Sequence, residues 1–325
     1  MSGSDNGKKT ITLANGVEIP TFGFGCAFGD WSSEGRTNKA IFSPEDAWTQ
    51  VPRALRAGVR HLDTAFCYRT HRAIGATLGA AFRKGELKRD EVFVTTKVFH
   101  PAMPRLYGKT IDLKAPDVLE TVQVQVRRDI YASLDELQLG WVDLLLVHWP
   151  GDFGSTDRAF NRRLRLLVWR VMEEALDRGM ARAIGVSNFT EQHLADLAED
   201  GAVVTPHVNQ IEVNPYTQWT AIQEYCQANG VLVQAWSPMG STGSSMLRDE
   251  LLVALAEKYG KNPGQIVLRW LVQQDMGVLP RSSNEARIAS NMDVFDFEIS
   301  EADMAAITAL TKGRSLTNPS PYDIA

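Results

Sequence analysis

Eight short apolar runs punctuate this chain, at roughly 22–26, 60–65, 92–97, 142–148, 183–188, 208–213, 232–237 and 277–282. Most are followed by a stretch with helical spacing. Leu119, Val122, Val126, Ile130, Leu134 and Leu137 recur at three and four, which makes one apolar stripe. Asp117 offers that helix a cap and Gly140 a stop. Leu164, Leu167, Val168, Val171, Met172, Ala175 and Leu176 make a second stripe, and Ser43-Pro44-Glu45 reads as the start of a helix that runs to Gly58. Strands that alternate with helices imply a parallel sheet. Neither a linker nor a shift in composition divides the units. Eight of them in 325 residues fit one closed (β/α)8 TIM barrel of the α/β class. A β-hairpin should precede it, because Asn15-Gly16 lies between the alternating runs Thr10–Leu13 and Val17–Ile19. The expected layout is a disordered N-terminal tail over 1–9 and a single barrel domain over 10–325.

A barrel of this kind carries its chemistry at the C-terminal ends of its strands. Polar residues fall there: Asp63, Lys97, His148, Ser187, Asn188, Gln210, Trp236 and Arg281. A doubly wound sheet has the same alternation but does not need polar groups at the ends of seven strands. Tyr68 stands five residues beyond Asp63. A phenol with its usual pKa near 10 is a poor acid at neutral pH unless something shifts it. Lys97 nearby would stabilise the phenolate and lower that pKa, making Tyr68 a general acid. Asp63 would pair with Lys97, and His148 would hydrogen-bond a substrate carbonyl. The set suits protonation of an oxygen that gains charge as a carbonyl is reduced. None of these side chains supplies hydride, so reduction requires a cofactor. Trp236 offers a flat face to a nicotinamide, and Ser187, Asn188 and Gln210 offer partners to its carboxamide. Arg281, Ser282, Asn284 and Arg287 form a donor-rich patch opening a helix, which suits a phosphate. The Gly/Ser-rich stretch 240–245 reads either as a loop that could close over a pyrophosphate or as an ordinary Gly/Ser connection.

Composition narrows the alternatives. Net charge is −5, which argues against wholesale nucleic-acid binding. Cys26, Cys67 and Cys226 are odd in number and widely spaced, so neither a disulfide framework nor a zinc site is indicated. No apolar run approaches the length of a membrane span. The polar N-terminus lacks the apolar core of a secretory signal. A reduced cytoplasmic compartment is the expectation, with a small-molecule substrate, no membrane partner, and a monomer or weak homodimer. Arg158, Arg162, Arg163, Arg165 and Arg170 read as the solvated face of a helix. The long irregular stretch from Phe99 to Pro116 reads as a lid, a binding loop or a surface insertion. No HExxH, Walker A or EF-hand sequence occurs. Gly185-Val186-Ser187-Asn188-Phe189 misses the hydrolase elbow at its last glycine. The glycines at 23, 25 and 29 miss the dinucleotide fingerprint, and no helix opens directly after them.

Taken in order, LDTAFCY (62–68), TTK (95–97), VDLLLVHWP (142–150), IGVSNF (184–189), NQIEVNPY (209–216), AWSPMG (235–240) and LPRSSNEARIASN (279–291) resemble the aldo-keto reductase superfamily over nearly the whole chain. The resemblance implies a TIM barrel that uses NADPH, without metal or flavin, to reduce aldehydes or ketones reversibly. It implies Tyr68 as general acid, Lys97 and Asp63 as its tuning pair and His148 as the carbonyl-orienting residue. Ser187, Asn188 and Gln210 match the carboxamide positions, and Trp236 matches the stacking position, where Tyr is commoner. Ser237, Met239 and Ser241 match the pyrophosphate loop. Arg281, Ser282, Asn284 and Arg287 match the adenosine 2′-phosphate patch, with Arg281 in place of the usual Lys, and Asn291 joins the cofactor set. Ser290 stands where the family often has Glu. Arg281 keeps the charge, which favours NADPH/NADP+ over NADH.

Two departures border the substrate mouth. After Tyr68 the family usually reads Gly-Asn-Glu, and here the residues are Arg69-Thr70-His71. The interval from Lys97 to His148 is also longer than usual. Phe28, Trp31, Phe99 and Trp149 would line an apolar carbonyl pocket. Two other functions compete with a reductase. One is an NADPH-binding regulatory or scaffold protein of the same fold, against which the intact set Asp63, Tyr68, Lys97 and His148 weighs. The other is a metal-assisted hydrolase, which a chelator would expose.

Overall fold

The structure is a computed structural model that describes residues 9–29, 43–99, 115, 117–153, 155–240, 244–313, 315 and 320–325. Of the expected tail only Lys9 falls within this range. Trp31, Ser241 and, in the long loop, residues 100–114 and Pro116 lie outside the described residues.

The expected hairpin is present. β1 (Thr10–Thr12) pairs antiparallel with β2 (Glu18–Pro20). The last register pair is Thr12 with Glu18, so five residues make the connection rather than the three between the alternating runs. Gly16, at φ +83, takes the left-handed position that the turn requires. Leu13, Val17 and Ile19 bury against Phe93, Leu144, Leu146, Ala183 and Val208, so the hairpin plugs the barrel floor with apolar side chains.

The barrel strands are β3 (Phe24–Gly25), β4 (His61–Asp63), β5 (Phe93–Val98), β6 (Val142–Val147), β7 (Ala181–Ser187), β8 (Val208–Glu212), β9 (Leu232–Trp236) and β10 (Gly277–Leu279). They lie in sequence order in one eight-stranded parallel sheet. Phe22 bridges to Val278, the Gly23 N–H donates to Val278, and the Gly25 N–H donates to Pro280, which brings the first strand against the last. The eight-stranded (β/α)8 expectation therefore holds. The helices are α1 (Ala47–Arg56), α2 (His71–Arg83), α3 (Val118–Leu137), α4 (Arg158–Asp177), α5 (Glu191–Glu199), α6 (Thr220–Ala228), α7 (Glu250–Tyr259), α8 (Pro263–Val272), α9 (Glu285–Met292) and α10 (Glu301–Thr308). β5 and β6 are buried along their whole length, as strands covered on both faces must be. No described helix is long and apolar enough to cross a membrane.

Three local expectations fail. α3 stops at Gln138, which turns left-handed at φ 54, and not at Gly140. Asp117 stands at the cap position of α3, but its side chain accepts no capping hydrogen bond. The arginines of α4 are also not a simple solvated face. Arg158, Arg162 and Arg165 all reach Asp196 of α5, and Arg162 also pairs with Glu199 and Asp200. Arg165 is buried between the helices, because α5 brings a carboxylate that α4 alone does not reveal. Arg163 is exposed, as expected.

Candidate active site

The ends of β4 and β5 build the first half of the site. Asp63 and Lys97 are both buried, and the Lys97 ammonium lies 2.6 Å from Asp63 Oδ1. Lys97 also donates to the Thr64 carbonyl at 3.0 Å. Beyond β4 the chain makes one 3-10 turn, Phe66–Tyr68, which carries the phenol back over the strand ends. The Lys97 ammonium then sits 5.2 Å from the centre of the Tyr68 ring. His148, directly after β6, places Nε2 3.4 Å from the Tyr68 hydroxyl, with the two rings edge to face at 5.5 Å. Its backbone is held on both sides: its N–H donates to Val98 at 2.8 Å, and its carbonyl accepts from Asn188 Nδ2 at 3.0 Å. The four expected residues are brought together.

Their electrostatics differ from the expectation. Burial, together with the nearby Cys67, Asp63 and Cys26, pushes the Tyr68 phenol well above its ordinary range. Burial outweighs the pull of the Lys97 ammonium, which is paired with Asp63 and lies 5.2 Å from the ring centre. The phenol therefore stays protonated in the free protein, the state a proton donor starts from.

The ends of β7, β8 and β9 build the second half. Ser187 Oγ donates to the Gln210 carbonyl at 2.8 Å. Asn188 adopts a left-handed backbone (φ 63), which Asn tolerates, and its Nδ2 donates to both Ser187 Oγ and the His148 carbonyl. Asn188 Oδ1 accepts from Trp236 Nε1 at 3.1 Å, so the half-buried indole is tethered by its edge. Gln210 does not end its strand. It is the third of five residues in β8, and its Nε2 donates to Asp63 Oδ2 and to Gln234 Oε1, each at 2.8 Å. Asp63 thus joins the two halves.

The expected phosphate patch is divided. Arg281 donates to the carbonyls of Ala27 and Gly29, at 2.9 and 3.0 Å, and so leans on the loop after β3. Ser282 Oγ accepts from the Asn284 N–H, and Asn284 caps α9 by accepting from the Arg287 N–H. The Arg287 side chain is exposed, whereas Asn291 is buried. Ser237 (φ 47) closes a turn onto Gly240, and Met239 packs close to Gly264. Of the aromatics expected at a substrate pocket, Phe28 and Phe99 are buried in the main core, and Trp149 meets the ring of Phe153 edge-on at 4.7 Å. Thr70 and His71 turn inward: Thr70 Oγ1 meets Thr64 Oγ1 at 2.7 Å, and His71 Nε2 meets Thr96 Oγ1 at 2.8 Å.

Sequence reasoning passes over two residues of this site. Cys67 places Sγ 3.6 Å from His148 Nδ1. Gln234 meets Gln210. A signal for Gln234 exists, since residues two apart in a strand share a face and Trp236 is itself a site residue.

Comparison with known proteins follows the same lines. The model of the Aldo/keto reductase family matches residues 26–312. Glyoxal reductase of Bacillus subtilis (strain 168) is 33% identical over 320 residues, covering 98% of each chain. D-galacturonate reductase of Fragaria ananassa is 33% identical over 297 residues, covering 86% of this chain and 87% of its own. The crystal structure of Bombyx mori aldo-keto reductase (AKR2E4) in complex with NADP superposes with a TM-score of 0.77 at 33% identity, covering 95% of this chain and 94% of that one.

Proposed function

The chain belongs to the aldo/keto reductase family, and from that premise we propose that it reduces aldehyde or ketone carbonyls to alcohols with NADPH, Tyr68 being the proton donor. The observation that carries this reading is the cluster at the strand ends. A protonated phenol lies 3.4 Å from a histidine nitrogen, and the ammonium of a matched lysine–aspartate pair lies 5.2 Å from the phenol's ring centre.

The residues present fit a nicotinamide dinucleotide. Trp236 is half-buried and tethered by its edge, which suits a stacking face. Ser187, Asn188 and Gln210 suit the carboxamide. Ser237 and Met239, with Ser241, suit the pyrophosphate. The α9 cap with Ser282, Asn284, Arg287 and Asn291 suits the adenosine end. Arg281 supplies a cation at the opening of that segment, which favours NADPH over NADH. When bound, the cofactor supplies the hydride.

The chain's own groups supply the rest. His148 and Tyr68 hold the carbonyl oxygen by hydrogen bonds and turn its carbon toward the hydride donor. The Tyr68 hydroxyl gives up its proton as that oxygen gains charge. Lys97, kept charged and aimed by Asp63, stabilises the phenolate that remains. A positioned general acid of this type contributes typically about 10²–10⁴-fold. Trp149 is assigned to an apolar substrate wall, whereas Phe28 and Phe99 are buried in the main core. Among the relatives, glyoxal reductase and D-galacturonate reductase are named for small polar carbonyls, which makes such aldehydes the first substrates to try.

The test is NADPH consumption on a panel of aldehydes and ketones by the wild type and Tyr68→Phe. The substitution should lower turnover by at least about 100-fold while NADPH still binds. Near-normal turnover in that variant would sink the mechanism. Tight NADPH binding by a wild type that reduces nothing on the panel would favour the regulatory reading instead.

A further inference from the structure

Gln210 and Gln234 are register partners on adjacent parallel strands, so their side chains stand side by side on one face of the sheet. Both are buried. An amide can sit either way round, but here its neighbours decide. Asp63 is an acceptor, and its Oδ1 is already taken by Lys97. Oδ2 can therefore accept only from the nitrogen of Gln210, at 2.8 Å. The second hydrogen of that nitrogen needs another acceptor, and Gln234 Oε1 supplies it, also at 2.8 Å. With Gln234 reversed, two N–H groups would face each other in the barrel interior. The orientation has a visible cost: Gln234 Nε2 is buried with no partner among the described residues. Gly277, in register with Gln234 on β10, leaves room for it, since a Cβ there would come within 3.2 Å of Gln234 Cγ. Both hydrogens of the Gln210 nitrogen are thereby committed. Nothing among the described residues donates to its Oε1, so the oxygen is the end offered to a ligand.

We propose that Gln234 is a positioning residue for the cofactor: with Asp63 it locks the Gln210 amide so that an acceptor oxygen, and not a donor, meets the carboxamide NH2 of the nicotinamide. This rests on the cofactor reading above. It also makes one carboxylate, Asp63, serve both the proton donor and the cofactor cradle.

The experiment titrates NADP+ and 2′,5′-ADP, which lacks the nicotinamide end, into the wild type, Gln234→Met and Gln234→Glu, following tryptophan fluorescence and thermal unfolding. Met fills the space without an acceptor, whereas Glu retains one. Gln234→Met should weaken NADP+ roughly tenfold, the scale of one buried hydrogen bond, and leave 2′,5′-ADP unchanged. Gln234→Glu should bind NADP+ within about threefold of wild type. Unchanged NADP+ binding by Gln234→Met would overturn the proposal, as would equal loss of both ligands, which marks a purely structural role. A wild type that binds neither ligand would overturn the cofactor reading itself. Should Gln234→Met fail to fold, Gln234→Leu carries the same contrast.

Discussion

Lys97 and Asp63 form a buried ion pair at 2.6 Å in which the carboxylate is fully used, because its second oxygen holds Gln210 from across the barrel. Such a pair is costly to assemble and more costly to halve. Its energetics and its role in the reaction can be separated.

Asp63→Asn leaves the Lys97 ammonium buried without a counter-charge, and is expected to cost about 3–5 kcal/mol of stability. Turnover should fall as well. The double replacement Asp63→Leu/Lys97→Met removes both charges and should recover much of the stability, with turnover remaining lost. Urea unfolding beside steady-state rates checks this. Recovery of turnover by the double variant would contradict the role given to the pair.

The pH dependence of stability has a carboxyl of opposite sign to the usual one. Burial raises Asp129 of α3 from 3.8 to about 6. A raised pKa favours the protonated form in the fold. Its contribution is fully present below the unfolded value of 3.8 and is lost as pH rises through about 6. Asp129→Asn should remove that loss, which amounts to as much as about 3 kcal/mol. The fall in unfolding free energy between about pH 4 and about pH 6 should therefore shrink in the variant. The buried histidines act in the acid range. Burial pushes His61 down to about 4 and His193 to about 3, so the unfolded chain binds more protons and stability drops as pH falls below about 6.5. An unchanged slope in Asp129→Asn between about pH 4 and about pH 6 would remove this account of the carboxyl.

Much of this site is legible in the sequence because a barrel puts the residue after each apolar run on a common rim. Asp63, Tyr68, Lys97 and His148 need only that rule and the chemistry of their side chains. What escapes depends on contacts between distant segments. Gln210 reaches Asp63 across 147 residues of sequence, and Arg281 reaches Ala27 across 254. Neither choice of partner leaves a trace in local spacing. Arg165 reads as surface on α4 until α5 supplies Asp196. The stop of α3 misleads for another reason. Gly140 is the residue that most easily turns left-handed, yet the turn falls on Gln138.

α2 offers a matched pair of glycines. A Cβ on Gly75 would lie 2.5 Å from the Leu137 carbonyl oxygen and 2.7 Å from that of Glu136. Both are backbone atoms in the last turn of α3 and cannot step aside. Alanine gains about 0.5–1 kcal/mol of helix propensity over glycine, but overpacking costs typically about 1–3 kcal/mol. The clash wins, and Gly75→Ala should destabilise. Gly79 lies one turn further on, and its Cβ would meet only the ends of Arg83 and Gln138, at 3.3 and 3.6 Å. There helix propensity decides, and Gly79→Ala should stabilise by up to about 1 kcal/mol. Two changes of the same sign in urea midpoints would refute the packing argument.

Arg69 sits at φ 59, directly after Tyr68, in the position where the family usually has Gly. A side chain in the left-handed region costs roughly 1–2 kcal/mol, because Cβ crowds the following carbonyl. Glycine escapes that cost but frees the unfolded chain, which offsets about 0.4–1 kcal/mol of the gain. The strain outweighs the chain entropy. The clean comparison is Arg69→Gly against Arg69→Ala, since both lose the arginine side chain and differ only at Cβ. The glycine variant should be the more stable by about 0.5–1 kcal/mol in urea unfolding. Arg69→Val should be the least stable of the three, a β-branched residue being the poorest fit at positive φ. The same turn carries the phenol, and here rigidity and strain have opposite consequences. If Cβ at 69 helps to hold Tyr68 over Lys97, the glycine variant gains stability and loses turnover while its affinity for NADPH stays level. Equal stability of the Gly and Ala variants would show that the left-handed turn is not strained.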